Sequence, residues 1–301
     1  MKIGIDIGGS HIGVGLINAS GKIIQKIEKD LSIGLSESDY NKILLDNLIE
    51  LITKILDESK TEISKINLIG IAVPGTVSNT HIVKADNLHI KDFDITSEIN
   101  KYFNVPINLR NDAKCAALAE KEYGSLKKSE DAIFLTIGTG VGGAVFLNGK
   151  LLRPKMYEGF EIGHMVIKED GIQCNCGRCG CFEKYASMKA LKDAIQKEYD
   201  KKDLSGQEIK ALIDEEIETE KMQKILNEYI NNLSIGIANL VNIFEPDTIS
   251  IGGSFVYYKD ILLPKLEGAL KEKYATFNGR QDIKIVLAKL KNDAGIIGAT
   301  L

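Results

Sequence analysis

The chain has 301 residues, 44% of them hydrophobic and 27% charged, and a formal net charge of -4. That is an ordinary globular composition, long enough for two lobes and without a basic footprint for nucleic acid or an anionic membrane surface. No apolar run approaches the roughly 18 residues of a membrane-spanning helix, and residues 1–7 enter a strand-like run with no leader pattern, so a cytoplasmic location is expected.

Residues 2–7, 12–18 and 22–27 are apolar runs punctuated by Gly8-Gly9 and Ser20-Gly21, and they predict three strands joined by tight turns. Residues 39–58 set Leu45, Leu48, Ile49, Ile52, Ile55 and Leu56 at helical spacing on one face. Residues 66–73 predict a strand that runs into the turn Pro74-Gly75, and 107–109 predict another. Residues 112–123, rich in Ala, Leu, Glu and Lys and closed by Gly124, predict a helix with a glycine stop. Strands are expected at 132–137 and 143–148 around a second glycine turn. Beyond Cys181 helices dominate, over 183–199, 205–213 and 219–244. A strand at 248–251 meets Gly252-Gly253, and a helix, a strand and a short Ala/Gly/Ile helix complete the chain.

The chain echoes itself. Ile7-Gly8 recurs as Ile137-Gly138 and Gly13 as Gly143, and Asn18 recurs as Asn148, at a constant offset of 130 residues. Each copy is a strand, a glycine turn with a hydroxyl residue (Ser10, Thr139) and a second strand. The repeat points to a duplicated two-lobe architecture in which each lobe offers one glycine hairpin to a shared cleft. A glycine turn lets backbone N–H groups approach an anion with no Cβ in the way. Asp6, beside Gly8, Gly9 and Ser10, could hold Mg²⁺ while that turn holds phosphate oxygens. Gly138, Thr139 and Gly140 supply the second turn. Neither is a Walker A loop, because no Gly-Lys-Ser/Thr follows, and neither is a dinucleotide fingerprint, because each turn leads into a strand.

These motifs resemble the sugar kinases of the actin-like ATPase superfamily. The resemblance implies an α/β, two-lobed actin-like (ribonuclease H-like) fold with duplicated βββαβαβα cores and ATP between the lobes. Gly252 and Gly253 then fall where such kinases bind the adenosine portion. Ser10 stands where Thr is commoner.

Four of the five cysteines crowd into Cys174, Cys176, Cys179 and Cys181. Disulfide frameworks belong to small secreted chains, so a tetrahedral zinc site is the stronger reading of so dense a cluster. With Glu161-Ile162-Gly163-His164 upstream and Glu183 downstream, the stretch resembles the repressor/open-reading-frame/kinase (ROK) family. Its Cys-x-Cys-Gly-x-x-Gly-Cys-x-Glu pattern is met by Cys174, Cys176, Gly177, Gly180, Cys181 and Glu183. The resemblance runs from Gly4 to residues 294–299. It implies a zinc-binding loop with His164, Cys174, Cys176 and Cys181 as ligands to a structural Zn²⁺. An all-thiolate site that includes Cys179 and frees His164 stays open.

Asn111-Asp112 lies at a strand-to-helix junction, where an N-cap is the ordinary expectation. In the family, Asn-Asp-Ala before an Ala-rich helix is the catalytic signature. The resemblance makes Asp112 the base that takes the proton of the attacking sugar hydroxyl, with Gly75, Asn111, Glu161, His164 and Glu183 around the sugar and Asn87 a weaker candidate. Lys114 stands where Asn is commoner. Arg110 and residues 157–160 also depart from the family pattern next to the expected sugar pocket. The family further implies a small lobe of 1–110 plus a C-terminal helix at about 291–301, a large lobe of 111–290 with the zinc loop and dimer surface, and a homodimer. The expected activity is ATP-dependent phosphorylation of a hexose, glucose O6 being the commonest choice in the family. N-acetylmannosamine, N-acetylglucosamine, allose and fructose remain alternatives, as do polyphosphate as donor and a non-catalytic sugar sensor. The family's repressors carry a helix-turn-helix ahead of the first hairpin. With Asp6 so near the start and a negative net charge, no nucleic-acid partner is expected.

Overall fold

The computed structural model describes residues 1–31, 37–154, 160–273 and 283–301. The chain forms two compact units, Met1–Lys127 with Leu152–Gly159 and Leu290–Leu301, and Lys128–Leu151 with Phe160–Lys289.

The first unit opens with strands β1 (Lys2–Ile7), β2 (His11–Ile17) and β3 (Ile23–Asp30), then helix α1 (Glu37–Glu58) and strand β4 (Leu68–Val73). A small antiparallel sheet of β5 (Thr76–Val77), β6 (Ile82–Ala85) and β7 (Ile90–Phe93) follows, then α2 (Ile95–Phe103), β8 (Ile107–Asn111) and α3 (Asp112–Glu122). The main sheet has the order β3-β2-β1-β4-β8, with β1, β4 and β8 parallel.

The second unit repeats this plan. It contains β9 (Ala132–Ile137), β10 (Val141–Leu147), β11 (Lys150–Leu151), α4 (Glu183–Ala186), α5 (Met188–Glu198), α6 (Gly206–Glu216), α7 (Glu220–Phe244), β12 (Thr248–Gly252), α8 (Lys259–Lys273) and β13 (Lys284–Leu287). Its sheet order β11-β10-β9-β12-β13 matches the first, strand for strand. The offset seen in the sequence holds at the element ends: Ala132 follows Lys2 by 130 residues, and Val141 follows His11 by 130. The last helix, α9 (Ala294–Ala299), belongs to the first unit.

The alternation of Ile with Gly explains how α9 sits. Ile3, Ile5, Ile7, Ile12, Val14 and Leu16 face a core closed by Leu44, Leu48, Ile52 and Ile55 of α1. Each such burial is worth ~1.5–3 kcal/mol. The opposite face carries Gly4, Gly13, Gly15 and Gly70, a period of two that leaves it nearly flat. Backbone of α9 rests there: a Cβ at Gly4 would overlap the Ile296 carbonyl oxygen, and one at Gly70 the Ala299 carbonyl oxygen. Both obstacles are main chain and cannot swing aside. Gly70→Ala is therefore expected to destabilise the chain by about 3 kcal/mol, read as a lower urea midpoint; an unchanged midpoint would contradict this seating of α9. Helix α3, which the sequence boundary puts with the second lobe, packs on the same helix, since a Cβ at Gly298 would overlap the Cys115 carbonyl. The buried Glu120 carboxylate ties α3 down further, accepting from Ser125 N–H at 2.6 Å, Ser125 Oγ at 2.7 Å and Leu290 N–H at 2.7 Å.

The structure corrects the sequence reading in two places. The single helix expected over 183–199 is two, because Ser187 leaves the helical region and its side chain caps α5 by accepting from Ala190 N–H. Helix α2 and the sheet β5-β6-β7 were not foreseen. Among the described residues no helix is long and apolar enough to cross a membrane.

Candidate active site

In the first unit the expected residues gather at the carboxyl ends of the parallel strands, where ligands of open α/β sheets characteristically sit. Asp6 is next to last in β1, and the Gly8 N–H donates to the His11 carbonyl at 2.8 Å to close the turn that carries Gly9 and Ser10. Gly75 follows β4 in the left-handed region (φ 94°), and a Cβ there would overlap the Lys84 carbonyl, so the position requires glycine. Asn111 ends β8. Its Oδ1 caps α3 by accepting from Lys114 N–H at 3.3 Å, and its Nδ2 donates to the Gly75 carbonyl at 3.0 Å. The N-cap and the link between two strand ends are thus the same side chain. Asp112, the first residue of α3, accepts from Ala113 N–H through Oδ1 at 2.8 Å.

Asp6 is the electrostatic centre of this group. Burial, then the Asp112 carboxylate, pushes its pKa from 3.8 up to about 7, with Lys26 acting the other way. Loss of water and the neighbouring carboxylate both disfavour the charged form of Asp6. Lys26 reaches over from β3, with its Nζ 2.9 Å from Asp293 Oδ1 and 2.7 Å from Glu28 Oε1. Gly295 of α9 packs directly on the Asp6 carboxylate. Sequence reasoning missed both Lys26 and Gly295: neither lies in a motif, and Gly295 is brought in by the end of the chain.

In the second unit two glycine turns lie at the carboxyl ends of parallel β9 and β12. Gly138, Thr139 and Gly140 join β9 to β10, with Gly138 N–H donating to the Gly140 carbonyl at 3.0 Å. Gly252 ends β12, and Gly253 (φ 73°) is pressed onto the Ile137 backbone, a Cβ there falling 2.5 Å from its carbonyl oxygen. That contact brings Ser254 beside Gly138.

Near these turns His164, Cys174, Cys176 and Cys181 place ligand atoms all within 4.8 Å of one another. Cys176 Sγ lies 3.5 Å from Cys181 Sγ, and Cys174 Sγ 3.6 Å from His164 Nδ1. A tetrahedral zinc with the usual bond lengths has ligand–ligand edges of about 3.5–3.8 Å, so this donor set fits the ion in both chemistry and size. Cys179 stands apart and exposed, its thiol donating to Gln173 Oε1 at 3.2 Å. The thiols are far from equivalent. The Arg178 backbone N–H holds Cys176 down to about 6, while burial and the neighbouring thiols push Cys181 up to about 12. A divalent cation resolves that conflict by favouring every thiolate at once. Glu183 touches the cluster, 3.3 Å from Cys174 Sγ and 3.7 Å from His164 Nδ1. Phe182 beside it is fully buried against Gly236 of α7. Glu161 precedes the turn Ile162–His164; its exposed side chain caps nothing. Residues 157–159 and the Asn87 side chain lie outside the described residues.

Comparison with known proteins gives a consistent result. The family model described as ROK family matches residues 2–301. The chain is 31% identical over 314 residues to a xylose repressor of Caldicellulosiruptor bescii, covering 98% of this chain and 76% of that protein. It is 28% identical over 316 residues to a glucokinase of Thermotoga maritima, covering 99% and 95%. A solved ROK hexokinase from Thermus thermophilus superposes with a TM-score of 0.82 at 26% identity, covering 99% and 96%.

Proposed function

The chain belongs to the ROK family, and from that premise we propose that it is an ATP-dependent hexose kinase, transferring the γ-phosphoryl group of Mg-ATP to O6 of glucose. The observation that carries the reading is Asp112. It is a carboxylate at the carboxyl end of a parallel strand, held by its own helix N-terminus and electrostatically coupled to a second carboxylate, Asp6. A sugar hydroxyl is a poor nucleophile, and Asp112 takes its proton as it attacks. Asn111 and Gly75 hold that end of the sugar; Glu161, His164 and Glu183 supply further hydrogen-bond partners, since a polyhydroxyl ligand is selected by matching each group. N–H groups of the turns at Gly8–Ser10 and Gly138–Gly140 take phosphate oxygens, and Gly252-Gly253 lies against the adenosine portion.

Asp6 is a hard oxygen donor whose charge is disfavoured by burial and by Asp112 beside it, so its chemistry fits Mg²⁺, which when bound neutralises charge on the transferred phosphoryl group. His164, Cys174, Cys176 and Cys181 hold structural zinc, whose contribution is to fix a loop. Cys181→Ser is expected to abolish stoichiometric zinc and to weaken sugar binding at least about tenfold, measured by metal analysis and calorimetry; full zinc content in that variant would overturn the ligand assignment.

The likeness to a xylose repressor favours a second reading, a sugar-responsive regulator without turnover. A thermal-shift panel of glucose, N-acetylmannosamine, N-acetylglucosamine, allose, fructose and xylose tests the substrate part of the proposal. The sugar that binds raises the melting temperature with its concentration. Glucose is the expected responder; a response to xylose alone would move the weight to the regulator.

A further inference from the structure

In the second unit one carboxylate touches two candidate sites. Glu183 opens α4, with Oε1 against Cys174 Sγ and His164 Nδ1. Its Oε2 rests on the β9–β10 turn, where a Cβ built on Gly140 would come within 2.7 Å of it. The start of α5, just beyond that one-turn helix, is tied to the same turn, because Met188 N–H donates to the Gly138 carbonyl at 2.8 Å. Gly140 is not in the left-handed region, so its backbone conformation does not require glycine. Among the described residues, and its chain neighbours apart, the only atoms a methyl would meet there within 4 Å belong to the Glu183 carboxyl group. The missing side chain at 140 therefore serves the contact with Glu183.

Resting on the kinase reading above, we propose that the Gly140–Glu183 contact couples sugar binding to nucleotide binding. A sugar hydroxyl that donates to Glu183 fixes its carboxylate. The fixed carboxylate braces the turn whose N–H groups take phosphate. The ordering of that turn is then charged once for two ligands, and each tightens the other by the same factor. Couplings of this kind run from about 5- to 150-fold, and a single contact argues for the lower part of that range.

The test is calorimetric. A non-hydrolysable ATP analogue with Mg²⁺ is titrated into the full chain with and without the panel sugar that binds, glucose on the present reading. The wild-type chain is expected to bind the analogue about tenfold tighter with sugar present. Gly140→Ala displaces only a flexible carboxylate, so its zinc content and melting temperature are expected to stay while the ratio falls to about one. Gly268→Ala is the control: it lies in α8, outside both candidate sites, and beyond its own helix its methyl would meet no atom of the described residues within 4 Å, so its ratio is expected to match wild type. If Gly140→Ala melts early, Glu183→Asp withdraws the carboxylate by one methylene and is expected to lose the ratio in the same way. A full ratio in Gly140→Ala or Glu183→Asp, or an equal loss in Gly268→Ala, would overturn the coupling. A wild-type ratio of one in a chain that phosphorylates the sugar overturns the coupling alone. A wild-type chain that binds neither ligand overturns the kinase reading and the coupling with it.

Discussion

Asp112→Asn is expected to lower kcat by about 10³-fold while sugar affinity stays within a few-fold of wild type. The size follows from what a positioned base contributes to proton transfer, roughly 10²- to 10⁴-fold. The selectivity follows from geometry. Asn keeps an oxygen to accept from Ala113 N–H, as Oδ1 does at 2.8 Å in the native chain, so the start of α3 and the Asn111–Gly75 link at 3.0 Å survive. The amide cannot take the hydroxyl proton. ADP release and sugar calorimetry on the purified variant check both halves. Near-normal turnover would remove Asp112 from the role of base. A matched loss of sugar binding would make it a structural cap.

Asp6→Asn is expected to stabilise the ligand-free protein at pH 8 and to abolish Mg-ATP binding. The folded chain holds the Asp6 proton up to about 7, against 3.8 for an ordinary carboxyl. Folding therefore takes up a proton between those values. The stability associated with this group is fully present below pH 3.8 and is lost as pH rises to about 7. At ~1.36 kcal/mol per pKa unit, the loss is about 4 kcal/mol. Asn cannot ionise, so the variant escapes it. Urea unfolding at pH 5 and pH 8 is expected to show wild type weaker at the higher pH and the variant nearly level. A variant weaker than wild type at pH 8 would show that the ionised carboxylate is well solvated after all. The same substitution removes the site's acidic donor, so the expected result is stability gained where function is lost.

Much of the fold could be read in the sequence because its strongest signals are local. Ile3, Ile5 and Ile7 alternating with Gly4 and Asp6 declare a two-sided strand, and the hairpin recurs 130 residues later, at Ala132 after Lys2, with the same strand ends. Thr219 before a long apolar-periodic run marks the start of α7 and caps it, accepting from Met222 N–H. Helix α2 had a comparable signal that went unread: Asp94 Oδ1 accepts from Ser97 N–H at 3.0 Å, ahead of Ile95 and Ile99 on one face. The β5-β6-β7 sheet had little to read, since its first strand is two residues long. Ser187 was hidden inside a run whose helical pattern continues on both sides of it.

The candidate site divides along the same line. Asp6, Asp112, Gly75 and the cysteine cluster stand in motifs. What they do to one another depends on tertiary packing. The carboxylate that adds to burial in raising the Asp6 pKa comes from the first residue of α3, just past β8, which lies two strands from β1 in the sheet. The contact on Asp6 from Gly295 comes from the other end of the chain. Whether His164 or Cys179 joins the other thiols was open in the sequence, as both are close in number; the folded loop turns Cys179 outward to Gln173.

The central claim is that this chain phosphorylates a sugar with Asp112 as base. Its most direct test is ADP release from Mg-ATP, with and without the responding sugar, in wild type and Asp112→Asn side by side, with zinc content measured in both. Sugar-dependent ADP release and a sugar phosphate in equal amount are expected from wild type, and almost none of either from the variant. Sugar binding without any ADP release from zinc-loaded wild type would contradict it.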